Sequence, residues 1–199
     1  FLDSVDAAER QRLLDVSILD RLSGPLINEV CDVDDGTEWL AGLAASNQLV
    51  ISLDRTGTWF RFHHLLRDLL RAELDRTFPE RSAALHAAAG RWYAQADDPV
   101  PAVEHLLRAD LRIEAADIVA DNATKLLNIG RTYTVTRFIE RLGDTVETHE
   151  GLAIVHGWVS FVTGRFAEAK RALATATRLD TVGVDAGLIL SLSAMIHLA

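Results

Sequence analysis

The sequence predicts a mainly α chain: a winged helix with one β-hairpin, followed by a right-handed solenoid of helical hairpins. Three observations predict it. Residues 1–78 read in the order helix, helix, helix, strand, turn, strand, helix. From Pro79 onward every segment reads as helix. Small residues recur in that second part at a step close to 34 positions. The expected domains are therefore a winged helix over 1–78 and a helical repeat arm over 79–199, cut short at its C-terminal end.

The first helix is expected over Ala7 to Leu19, where Leu13, Leu14, Val16 and Ile18 alternate with Glu9, Arg10, Arg12 and Asp15 at helical spacing. Ser23-Gly24-Pro25 breaks it and starts a short helix, Leu26 to Cys31, because proline is tolerated in a first turn. Asp32 to Gly36 is a turn, with Thr37 as the expected N-cap of a third helix whose inner face is Trp39, Leu40, Leu43 and Ala44. Leu49–Leu53 and Trp59–Phe62 are the two strands, joined by Asp54-Arg55-Thr56-Gly57-Thr58. His64 to about Phe78 closes the module, stacking Leu66, Leu70 and Leu74 on one face with Leu65 and Leu69 beside them.

In the second part Gly90, Ala123, Gly157 and Ser191 stand 33, 34 and 34 positions apart. Seven residues after the first three come Asp97, Gly130 and Gly164, each a turn position. Ala102, Val135 and Ala169 follow, then Leu106, Ile139 and Leu173, then Ala109, Leu142 and Ala176. Small residues at crossing points let helix axes approach, and this cadence is the tetratricopeptide-like pattern. The most regular unit is Glu150 to Asp180, and a fourth is expected to begin near Val184. Trp158, Phe161 and Phe166 are candidates for an arm groove, although apolar residues at helical spacing more often pack a core. Trp92, Tyr93 and Tyr133 are expected in the core.

Composition narrows the function. The chain of 199 residues is 49% hydrophobic and 25% charged, ordinary for a folded soluble protein. Its net charge of −9 argues against general binding to a phosphate backbone. The third helix, which would enter a DNA groove, carries no Lys or Arg, so no direct DNA binding is expected. No P-loop occurs: Lys125 follows Thr124 and Lys170 follows Ala169, so neither belongs to the required Gly-Lys pair. One cysteine, Cys31, permits no internal disulfide, which suits a reducing cytoplasm. No membrane span, catalytic constellation or metal site is expected. His63 and His64 are adjacent, so their side chains should diverge as strand neighbours do. The only methionine is Met195, so the sequence is expected to be an internal piece of a longer protein.

The stretch Trp59-Phe60-Arg61-Phe62-His63-His64-Leu65-Leu66-Arg67-Asp68-Leu69-Leu70 resembles a signature of MalT-type transcription activators of the LuxR family, which are signal-transduction ATPases. Ser17 to Leu26, Ala45 to Val50 with Leu53-Asp54, and Leu85 to Tyr93 are similar to further segments of that family, in the same order. The resemblance implies a parent with a nucleotide-binding domain, this winged helix, a superhelical arm that senses an inducer, and a DNA-binding tail. ADP would hold a closed form, and inducer with ATP would open it for self-association. The junction Phe62 to Asp68 is also similar to a motif of related switch ATPases whose histidine meets the ADP β-phosphate. That implies a nucleotide-sensing role for His63, with His64 where the motif has Asp. The alternative without a sensor is a strand-end histidine that merely packs.

The expected function is thus a regulatory relay. Its partners would be the nucleotide-binding domain of the same chain, a small-molecule or protein inducer at the arm, and further copies of itself. ATP and ADP would bind the parent and no cofactor the fragment. The rivals are a helical-repeat protein-interaction adaptor capped by a winged helix, and a DNA-binding winged helix with a dimerisation arm.

Overall fold

The computed structural model describes residues 6–46, 50–179, 187, 190–191 and 193–195. The chain forms two compact units, Phe1–Asp98 with Arg108–Asp110, and Pro99–Leu107 with Leu111–Ala199.

The first unit contains α1 (Ala7–Val16), α2 (Gly24–Cys31), α3 (Gly36–Ser46), β1 (Val50–Ser52), β2 (Phe60–Phe62), α4 (His64–Thr77) and α5 (Pro79–Gln95). Asp6 caps α1 by accepting from the Glu9 N–H at 2.8 Å, which satisfies a donor the helix leaves open. Glycine allows α2 and α3 to meet at their starts. A Cβ on Gly24 would lie 1.9 Å from Thr37 Oγ1, and one on Gly36 would lie 2.7 Å from the Gly24 carbonyl. Thr37 is therefore not the N-cap of α3. The helix begins at Gly36, two residues before the start that an N-cap at Thr37 implies, with Trp39 N–H donating to the Asp35 carbonyl at 2.9 Å and Gly36 set against Gly24.

Leu13, Ile18, Leu22, Leu26, Ile27, Leu40, Leu70 and Leu74 are almost fully buried in this unit. The hairpin registers Val50 with Phe62 and Ser52 with Phe60, antiparallel. Leu22 adds a third, single-residue rung: it exchanges two backbone hydrogen bonds with Phe60, at 2.8 and 2.9 Å. Polar ties cross the unit as well. Arg81 of α5 grips the buried Asp15 of α1 with two bonds, at 2.7 and 2.5 Å, and Trp39 donates to Glu9 at 2.8 Å. Trp92 meets the wing residue Trp59 edge-on at 6.4 Å, and Arg21 lies over the Trp59 ring.

The second unit contains α6 (Pro99–Arg108), α7 (Arg112–Asn128), α8 (Thr132–Leu142), a 3₁₀ turn (Gly143–Glu147), α9 (Glu150–Val162) and α10 (Phe166–Leu179). Gly130 and Gly164 take φ of +78° and +76°, as glycine readily does, so α7 and α9 end where the period places its turns. Asp97, at the equivalent place in the first unit, is left-handed too, at +56°. Val135, Leu142, Ala169 and Ala176 are fully buried, and Phe138 fills the centre of the apolar cluster. Tyr133 is not core: it is 79% exposed, because it lies about half a helical turn from Val135 and so opposite the buried face of α8. The expected start of a fourth unit, near Val184, lies outside the described residues. Among the described residues no helix is long and apolar enough to cross a membrane.

Candidate functional site

The strand-to-helix junction of the first unit is built by alternation. Phe60 and Phe62 turn inward while Arg61 between them faces solvent. Asp54 holds the wing turn behind them, accepting from Thr58 N–H at 2.9 Å and Trp59 N–H at 3.0 Å. Those bonds, the one from Thr58 first, hold its carboxyl below the usual carboxylate range. Gly57 completes the turn at φ +66°.

After Phe62 the backbone turns at His63 (φ −56°, ψ 134°) and enters α4. Leu66, Leu70 and Leu74 anchor that helix inward. His63 stands at the N-cap position, but its side chain makes no cap hydrogen bond, and α4 has no acidic residue in its first turn. Its ring lies beside that of His64, centroids 4.4 Å apart and planes tilted by 32°. The expected divergence is therefore wrong: strand alternation stops at His63, and the helical turn swings His64 back alongside it. His63 is half-buried and His64 exposed.

Both rings border a cavity of 230 Å³ whose other walls are Ile51, Arg61, Phe62 and Arg67. Among the described residues no carboxylate lines it. Arg67 is steered by Asp20, at 2.9 Å from Nη1, and by Asp68, at 3.2 and 3.1 Å from Nε and Nη2. Arg71, one turn on, donates to the Ile18 carbonyl at 2.6 Å, and burial is the main cause lowering its pKa. Imidazoles, two arginines and an open helix N-terminus together suit an anion. Beyond the rings, Leu65 and Leu69 are 68% and 59% exposed, an apolar stripe on the outer face of α4. Among the described residues no group of three His, Cys, Asp or Glu side chains could hold a metal ion.

Trp158, Phe161 and Phe166 separate in the second unit. Trp158 lines a cleft of 520 Å³ between α7 and α9. Phe161 and Phe166 do not line it; they pair edge-on at 5.7 Å, and Phe161 packs against Ala169. The opposite wall of the cleft comes from Asp121, Thr124, Leu127 and Asn128 of α7, which the aromatic residues did not signal. Their spacing of three and four was the available clue, since it puts them on one helical face. His149 caps α9, accepting from Leu152 N–H at 3.1 Å on Nδ1, and meets Asp117 of α7 through Nε2 at 2.9 Å.

A three-helix core, a hairpin with a third rung and a helix behind the wing make the first unit a winged helix, continued by a helical arm. Residues 1–82 match the family model of the MalT winged helix domain. Over 173 residues, 86% of the chain, it is 27% identical to the serine/threonine-protein kinase PknK of Mycobacterium tuberculosis and, equally, of Mycobacterium bovis. The chain spans 16% of the length of those relatives.

Proposed function

We propose that this chain is the regulatory relay of a bacterial ATP-dependent transcription activator of the LuxR/MalT type. It passes nucleotide state and inducer binding between an ATPase domain and a sensor arm, in the cytoplasm. The arm is read as tetratricopeptide-like, with a small-molecule or protein inducer as its ligand. The observation that carries the reading is the paired imidazoles at the ribbon-helix junction, in a cavity edged by Arg61 and Arg67 whose described lining holds no carboxylate. In the assembled parent, His63 donates a hydrogen bond to the β-phosphate of ADP while the α4 dipole and Arg61 favour the same negative charge. The exposed Leu65 and Leu69 give the nucleotide-binding domain an apolar seat beside that contact.

In this reading the chain does no chemistry of its own, and the nucleotide is held by a P-loop elsewhere in the parent. Direct DNA reading has little support, since α3 presents no basic side chain. Likeness to a protein named as a kinase fits a module that serves more than one kind of output. The relay works by population shift, nucleotide and inducer favouring different arrangements of the same interfaces. The test is His63→Ala in the full-length protein with a promoter reporter. Basal transcription is expected to rise without inducer; an unchanged basal level removes the sensor role of His63.

A further inference from the structure

The cleft between α7 and α9 has two unlike walls. Ile154, Val155, Trp158 and Val162 supply an apolar and aromatic side from α9. Asp121, Thr124 and Asn128 supply a polar ladder on successive turns of α7. The walls meet at Gly151, where an added Cβ would stand 3.0 Å from Ala120 Cβ, so the missing side chain closes that end. At 520 Å³ the cleft lies in the range of small-ligand sites, which are mostly apolar with a few convergent polar groups.

Its charge is one-sided. Among the described residues that line the cleft, Asp121 is the only charged one. Asp117, one turn earlier on α7, is a second carboxylate, to which His149 is bonded. Lys125, one turn later, does not line the cleft. We propose that this cleft binds a small organic cation, an aryl or alkyl amine whose flat apolar body lies on Trp158 and whose ammonium faces Asp121. Thr124 and Asn128 hydrogen-bond to its polar substituents. Three features select an amine over an acid: the Asp121 carboxylate, the negative face of the indole, which attracts cations, and the lack of any cation among the described lining residues. The proposal deepens, and rests on, the reading of the arm as the sensing element.

The test is calorimetric titration of the whole chain with three probes sharing one body: 4-phenylbutylamine, 4-phenylbutanol and 4-phenylbutyrate. The amine is expected to bind, the alcohol to bind about tenfold more weakly, and the acid not to bind measurably. Asp121→Asn, at an exposed site, should remove the preference of amine over alcohol. Val162→Arg, at the exposed mouth, removes apolar wall and adds a positive charge, so it should weaken the amine by more than it weakens the alcohol. The proposal is overturned if amine and acid bind alike, if Asp121→Asn keeps the preference, or if no probe binds. The sensing reading fails separately if the amine binds as described but leaves the activity of the longer protein unchanged.

Discussion

The two units tie themselves together over very different distances along the chain. In the winged helix the cross-links have no common step: Arg81 reaches Asp15 across 66 residues, Arg71 reaches Ile18 across 53, Arg67 reaches Asp20 across 47 and Trp39 reaches Glu9 across 30. In the arm they cluster near one repeat. Arg137 and Arg141 reach Glu104 across 33 and 37, His149 reaches Asp117 across 32, and Thr175 and Arg178 reach Glu147 across 28 and 31. The first pattern belongs to a closed globule in which each element has its own partner. The second belongs to an array in which each hairpin leans on its neighbour, so its stability accumulates unit by unit. A fault in the first should therefore be felt throughout it, and a fault in the second should stay local.

The largest expected effect breaks the globule. Gly24→Ala puts a Cβ 2.8 Å from the Thr37 backbone, so helices α2 and α3 must part. A loss of roughly 3 kcal/mol is expected, read by chemical denaturation. Arg81→Ala comes next. It leaves the buried Asp15 with Gln11 as its remaining side-chain partner, and about 2 kcal/mol should go, discounted because Arg81 is half exposed. In the arm, Gly130→Ala forces a Cβ into a left-handed turn and should cost about 1 kcal/mol. Hydrogen exchange should rise around α7 and α8 only. Glu104→Gln is expected to cost under about 1 kcal/mol, as surface pairs do.

Acid and base should separate the units too. Burial pushes the Cys31 thiol and the Tyr93 hydroxyl each up to about 12, so the folded winged helix keeps protons that the unfolded chain releases. Its stability is whole below about pH 9 and declines as pH rises towards 12. Burial lowers the His156 pKa in the arm, so there the unfolded chain takes up the proton first. That contribution is whole above pH 6.5, the ordinary histidine value, and falls as pH drops. Unfolding followed residue by residue by hydrogen exchange, in α1 and α4 for the wing and in α9 for the arm, checks both directions. An equal response of both units at each extreme would contradict the assignment.

Much of this was legible in the residues because it repeats or alternates. The hairpin follows from Phe60-Arg61-Phe62, and the arm turns at Gly130 and Gly164 follow from a fixed step. What escaped rests on single contacts between distant segments. The Leu22–Phe60 rung is one residue pair and leaves no pattern. The start of α3 was misplaced at Thr37 because the decisive contact is with Gly24 on another helix. At the site, both histidines were identifiable by position. Their side-by-side rings were not, because the alternation rule does not hold across a strand-to-helix turn. The cleft was half legible: Trp158 stood out as an aromatic, whereas Asp121, Thr124 and Asn128 look like any polar helix face until α9 is set against them.

The proposed sensor role of the His63 junction is tested most directly by the rate at which the full-length protein releases a fluorescent ADP analogue. His63→Ala should speed release about tenfold, the loss of one charge-assisted hydrogen bond, while Arg55→Ala at the exposed wing tip should leave it unchanged. Equal release from both variants and the unaltered protein would contradict a phosphate contact at this junction.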